Sequence, residues 1–276
     1  MLQEIESARD VLTNDQRAIA RELTAYVWEY YSNLEEPIVP LSRIARLSQP
    51  KDVHEFPVDE HSKTVGLLTA QLLGSDPIEP LRAEEFPFFS QLKESIPFEE
   101  LRGSQDPEHK LWIEIYDSCR ILARAMSLSS DEKDVLVLAG YLHDIGKYLP
   151  KKMLEAYDHD LAGIILLQTM SKKRGGSVSD STVESLEQVY LGYNLLISFF
   201  MKKDITASVL DFAFGHHYIQ TALIVHVADE LGRGWNFEDD TEKAVTLRMQ
   251  KLSKMKQLVE YNIKLIASKN AEHSPK

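Results

Sequence analysis

The stretch SSDEKDVLVLAGYLHDIGKYLP, residues 129–150, decides how the rest of the chain is read. Ser129 followed three residues later by Glu132 has the form of a capping box, in which hydroxyl and carboxylate each satisfy a backbone N–H that the first helical turn leaves open. Val135, Leu138 and Leu142 then recur at helical spacing and predict a core face. Gly146 and Pro150 close the helix, which is expected to run to about Tyr148. Near its end stands His143-Asp144. A charged carboxylate at the end of so apolar a segment is costly to desolvate, and a divalent cation held by an aspartate oxygen and an imidazole nitrogen would offset that cost. Taken alone, the pair is more simply read as a helix-terminal histidine bonded to a carbonyl, beside an exposed aspartate.

Working outward, the pair has company. His216-His217 follow the apolar segment FAFGHH, and Asp229 sits inside the apolar helix TALIVHVADEL. Three separate helices thus each deliver a His or Asp from an oily context, as a metal site assembled inside a helical bundle requires. Each has a plain alternative. His216 and His217 stand where a helix ends, Asp229 reads equally as a buried cap or salt-bridge partner, and His226, one turn before Asp229, reads as ordinary packing or as a group behind the ligands. Lys147, four residues after His143, reaches a substrate phosphate if the helix continues; otherwise it is a solvated lysine favoured by the helix dipole.

The remaining chain is helical in pattern, with no convincing strand and no internal repeat. Ile19, Leu23, Val27, Tyr30 and Leu34 form one stripe behind a Thr13-Asn14-Asp15 start signal. Prolines 37, 40, 50, 57, 77, 80, 87 and 97 permit only short helices between Pro37 and Phe98, one of them from about Glu60 to Leu73. The polar break Gly103 to Pro107 is the best internal boundary. Leu111, Ile115, Cys119, Leu122 and Met126 predict a buried stripe on a helix from about Pro107 to Leu128. A polar loop over Ser171 to Thr182 separates a helix near Leu161 from one beginning near Val183, and further helices are expected over Glu187–Phe200, Ile205–His217 and Thr221–Leu231. A last amphipathic helix, about Thr241 to Ser268, carries Val245, Met249, Leu252, Met255, Val259, Ile263 and Ile266. The expectation is an all-α, multi-helix bundle divided as 1–103, a short-helix N-terminal half; 104–240, the domain bearing the metal site; and 241–276, a long C-terminal helix and tail. Met249 and Met255 pack on the body or on a second copy, so the oligomeric state stays open.

Composition excludes several classes. The chain has 276 residues and a net charge of −12, and a surface of that sign repels phosphate backbones and anionic lipid, so no nucleic-acid or membrane partner is expected. Cys119 is the only cysteine, which removes any disulfide within the chain and any multi-cysteine metal cluster and suits a reducing compartment. The longest oily run, Leu195 to Met201, is too short for a bilayer, and MLQEIESARD lacks the plan of a signal peptide. A cytoplasmic location is the expectation. No Walker loop, dinucleotide-binding glycine pattern or nucleophile elbow competes with a metal site.

The series HDIGK from His143, then the paired histidines, then Ala228-Asp229 resembles the HD superfamily of metal-dependent phosphohydrolases. Within it the chain is most similar to the HDOD branch, through Leu111-Trp112, AGYLHDIGK, the run from Glu187 through GYNLLISFFMKKDITASVLDFAFGHH, and IVHVADELGRG. The likeness covers about Glu108 to Gly234, extends weakly into Pro37 to Leu101, and omits the C-terminal helix. It implies an HD/HDOD-like bundle holding one or two divalent cations (Mn, Mg, Fe or Zn) through His143, Asp144, His216, His217 and Asp229, with Asp144 and Lys147 in the chemistry. Departures matter too. Where the branch has its first histidine this chain has Glu114, able to ligate through oxygen, and another family histidine is replaced by Gln188, a poor ligand. His109 and His159 are candidate substitutes. The Gly-Tyr-Pro extension of cyclic-dinucleotide phosphodiesterases is missing after His217, which argues against cyclic di-GMP hydrolysis. Two functions from different classes follow. One is a regulatory, HDOD-like protein of bacterial signal transduction, binding a protein partner or a small phosphate-containing ligand, with its metal site partly retained or lost. The other is a working phosphohydrolase on a nucleotide or other phosphate ester. A helical interaction module whose polar residues satisfy one another is a third, plainer reading.

Overall fold

A computed structural model describes residues 58–74, 102–148, 180–201, 217–233 and 241–272. These form six α-helices: α1 (Val58–Leu73), α2 (Pro107–Ala125), α3 (Ser130–Leu142), α4 (Asp180–Met201), α5 (His217–Gly232) and α6 (Glu242–Glu272), with a short 3-10 turn, Ile145–Tyr148, after α3. Among the described residues there is no strand. The stripe from Ile19 to Leu34, the short helices of the proline-rich stretch other than α1, the helix near Leu161 and almost all of Ile205–His217, with His159 and His216, lie outside the described residues.

Local chemistry sets the helix starts. Asp106 caps α2 by accepting from the Glu108 and His109 amides at 2.7 and 3.3 Å, with Pro107 at the first helical position, where no donor is needed. Ser129 and Glu132 form the expected capping box on α3. Thr241 opens α6 through its hydroxyl to the Ala244 amide.

Packing widens one expected face and shifts another. On α2 the core takes Trp112, Ile115, Tyr116, Cys119, Leu122 and Ala123, leaving Leu111 and Met126 half-buried. On α3 the fully buried residues are Leu136, Val137, Ala139, Gly140 and Tyr141, whereas Val135, Leu138 and Leu142 are only half-buried. The cause is that α3 packs against α1, α4 and α5, so it buries a broad face rather than one stripe. Nor does α3 reach Tyr148. It ends at Leu142, where the His143 ring turns back onto the Gly140 carbonyl, and the chain tightens into the 3-10 turn that closes Lys147 N–H onto Asp144 O at 2.9 Å.

Helix α5 is the central element. Every residue from Ile219 to Gly232 is buried, the mark of a helix covered all round. α1 packs on both α3 and α5, so the core runs across the polar break at Gly103–Pro107. The long helix α6 lies chiefly on α2, burying Leu252, Met255, Leu258 and Val259, with the ion pairs Arg248–Glu108 (3.0 Å) and Lys256–Glu114 (2.8 Å) along the same seam. Among the described residues, no helix is long and apolar enough to cross a membrane.

Candidate metal centre

Three helix termini meet inside this core. α1 contributes His61 from its first turn, the end of α3 contributes His143 and Asp144, and the last turn of α5 contributes Asp229. All four are at most 2% exposed. His61 Nε2 lies 2.9 Å from Asp229 Oδ1, 3.2 Å from His143 Nε2 and 3.8 Å from Asp144 Oδ2. His143 Nε2 is 3.5 Å from both Asp144 Oδ2 and Asp229 Oδ1.

The outer nitrogens of the two rings fix what the inner ones present. His61 Nδ1 faces the Gly232 carbonyl at 3.0 Å and His143 Nδ1 faces the Gly140 carbonyl at 2.8 Å. A carbonyl only accepts, so each Nδ1 carries the hydrogen and each neutral ring directs a bare Nε2 lone pair at the centre. Two imidazole lone pairs and two carboxylate oxygens therefore converge, and a hydrogen stands among them only where a ring takes up a second proton. Such an arrangement repels itself unless a cation or an extra proton sits between, and imidazole nitrogens anchored through the far N–H to a carbonyl are the usual form of metal-binding histidines. The donor set of two nitrogens and two carboxylate oxygens fits a first-row divalent cation.

The electrostatics agree. Burial opposes charge on His143, but Asp144, Asp229 and the Gly140 carbonyl outweigh it and raise its pKa. For Asp229, burial pushes the pKa up, and Arg233 with the hydrogen bonds to His143 and His61 more than reverses this, leaving it well below the ordinary aspartate value. The site thus attracts positive charge and retains a carboxylate.

Around the four stand residues that hold them. Lys147 Nζ pairs with Asp144 Oδ2 at 2.7 Å and is 22% exposed, placing a cation at the rim. The Tyr193 hydroxyl, from α4, donates to Asp229 Oδ2. Arg233 Nη2 lies 3.6 Å from that same oxygen and 3.0 Å from Glu230 Oε1, which Lys251 of α6 also reaches at 2.5 Å. His226, Asp229 and Glu230 can also bring ligand atoms within 4.8 Å of one another. In that second group Glu230 is already neutralised by Arg233 and Lys251, so its chemistry is that of an ion-pair network.

Of the residues singled out in the sequence, the structure gathers His143, Asp144, Asp229 and Lys147. It does not bring His217, Glu114 or His109 to them. His217 opens the helix whose last turn carries Asp229, so the two are separated by about 18 Å of helix at the usual rise. It is 55% exposed and bonds Glu132 Oε1 at 2.8 Å. Glu114 is exposed on α2 and paired with Lys256, and His109 is held at the start of α2 by Ser104 Oγ at 2.8 Å. Gln188 is exposed on α4. The residue that sequence reasoning missed is His61. It had a signal: with Val65, Leu68 and Leu72 it falls on one helical stripe of VDEHSKTVGLLTAQLL, a histidine in line with core positions.

Comparison with known families bears on the same residues. Residues 113–234 match the HD domain family. The match takes in His143, Asp144, Tyr193, Asp229 and Arg233 and leaves α1, with His61, and α6 outside it. No curated protein and no solved structure matches the chain.

Proposed function

We propose that the protein is a metal-dependent phosphohydrolase acting on a small phosphate ester, a nucleotide being the leading class. One observation carries the reading: the Nε2 atoms of His61 and His143, each with its far nitrogen tied to a carbonyl, face each other and the Asp144 and Asp229 carboxylates. With His61 in place, the His, His-Asp, Asp series is complete, so the replaced positions Glu114 and Gln188 no longer argue for a lost site.

His61, His143, Asp144 and Asp229 would hold the cation. A divalent ion supplies Lewis acidity toward a phosphoryl oxygen and makes water a usable nucleophile at neutral pH. The chain's own residues do the rest. The Gly140 and Gly232 carbonyls fix ring tautomer and orientation, Lys147 holds Asp144 and offers positive charge at the rim to an incoming phosphate, and Arg233 stands on the Asp229 side with 24% of its side chain exposed.

A second reading is favoured by the burial of all four ligands. Closed sites are typically structural, and a metal staple inside an HDOD-like regulatory protein of a signalling pathway would look the same from within. The two part on turnover. Protein purified without chelator is assayed for bound metal and for phosphate release from nucleotides with manganese, magnesium or iron. The enzymatic reading expects stoichiometric metal and turnover, both lost in His61→Ala and Asp144→Ala. Metal without turnover across the panel supports the regulatory reading, and folded protein that takes up no metal overturns both.

A further inference from the structure

The two oxygens of Asp229 have different surroundings. Oδ1 faces His61 Nε2 at 2.9 Å and His143 Nε2 at 3.5 Å, whereas Oδ2 accepts from the Tyr193 hydroxyl and faces the Arg233 guanidinium at 3.6 Å. An aspartate carboxylate turns freely about its last torsion unless something holds it. Tyr193 is itself held: it is 4% exposed, its ring meets the His226 ring edge-on at 5.1 Å, and it lies 6.4 Å from the His143 ring. Its reach depends on its neighbour. Gly192 lets α4 approach α5 so closely that a Cβ there would sit 2.8 Å from Ala222 Cβ and 2.9 Å from the Tyr218 carbonyl.

We propose that Tyr193 is a positioning residue for the metal centre, engaging Oδ2 of Asp229 so that the carboxylate presents Oδ1 alone toward the two histidines. The inference rests on the metal reading above and adds to it the α4 contribution. A phenol suits the role because it donates one hydrogen, stays neutral at physiological pH and leaves the negative charge of the carboxylate intact. Loss of the hydroxyl frees Oδ2 to swing toward the cation, or the whole group to turn away.

The test uses the full chain and Co²⁺ as probe, with affinity from chelator competition and ligand geometry from the visible spectrum of the bound ion. Tyr193→Phe keeps the ring against His226, so the metal-free protein is expected to match wild type in circular dichroism and melting. Its Co²⁺ affinity is expected to fall ~10–100-fold, the usual consequence of removing a group that orients a ligand, with a changed spectrum. Incorporation of 4-aminophenylalanine at position 193, which restores a donor hydrogen, is expected to recover binding. Tyr190→Phe, one turn earlier, removes a hydroxyl that bonds the Ala139 carbonyl at 3.4 Å and is expected to bind as wild type. Wild-type affinity and spectrum in Tyr193→Phe, with binding still lost in Asp144→Ala, overturn the proposal and leave the metal reading standing. Absence of Co²⁺ uptake by the wild-type protein overturns both.

Discussion

His226 shows how strongly one buried side chain can couple this fold to pH. It lies wholly inside, edge-on to Tyr193, and burial presses its pKa down to about 4 against the pull of Glu230 and Asp229. In the unfolded chain it titrates near 6.5. Since the folded value is the lower one, the unfolded state binds more protons between the two, and stability falls as pH drops from about 6.5 toward 4. Well above 6.5 the group is neutral in both states and contributes no slope. Urea midpoints with chelator present should show this decline, with a slope approaching about 1.4 kcal/mol per pH unit from this residue. His226→Leu is expected to flatten it, and an unchanged slope in that variant would falsify the assignment. His61, by contrast, shows its burial in the sequence, in line with Val65, Leu68 and Leu72, but its role only in three dimensions. His143 announces itself by the aspartate beside it and Asp229 by its apolar surroundings, but the partners of His61 lie 82 and 168 positions away. Nothing local marks the meeting. For the same reason His217 reads as a ligand in the sequence and is a surface residue in the fold: its direction is set by the helix it begins.

At the scale of elements, local signals carried the reading and packing supplied what they lacked. Caps at Asp106, Ser129 and Thr241 act within a few residues, so the starts of α2, α3 and α6 are legible, and 3.6-residue periodicity marks the helices themselves. How broad a face turns inward depends on how many neighbours a helix has, and this is why α2 buries Trp112, Tyr116 and Ala123 beside its expected stripe and why the face of α3 is shifted. The α1–α3 crossing is the decisive packing event for the site. Gly140 faces Gly66 there, and a Cβ at Gly140 would meet Thr69 Oγ1 at 2.7 Å and both Gly66 Cα and the Val65 carbonyl at 3.2 Å. Backbone on one side of that contact cannot move without the helix. This close approach places His61 Nε2 3.2 Å from His143 Nε2. Gly140→Ala should therefore push α1 outward. Alanine gains up to about 1 kcal/mol in helix propensity, but overpacking a tight core costs roughly 1–3 kcal/mol, and the latter is expected to win. Urea denaturation should show a lower midpoint and Co²⁺ titration a weaker affinity. A more stable variant with unaltered affinity would show that the crossing is not what sets the ligand spacing.

Across the whole molecule, the centre joins parts of the chain that only folding brings together. His61 on α1, His143 and Asp144 after α3, and Asp229 on α5 come from the three helices that pack on one another around the core. The HD domain match ends at 234, yet both helices outside it reach the site: α1 brings His61 into it, and α6 touches it through the ion pairs of Lys251, Glu230 and Arg233. An unfolded chain has no such convergence, so a cation that binds the native state acts as a clasp across three helices, and its binding free energy adds to folding. At a free metal concentration a hundred times the dissociation constant, the added stability is about 2.7 kcal/mol. For a protein of this size each kcal/mol moves the midpoint by roughly 2–4 °C, so Mn²⁺ or Co²⁺ should raise the melting temperature by roughly 5–10 °C, and chelator should reverse it. The variants sharpen the result. His61→Ala and Asp229→Ala lose the metal-dependent shift whatever they do to the metal-free midpoint, because each removes a ligand from a different helix. His217→Ala and Glu114→Ala keep it, because those side chains are on the surface, bonded to Glu132 and Lys256. A shift that survived His61→Ala but vanished with His217→Ala would relocate the metal to the start of α5 and dismantle the centre described above.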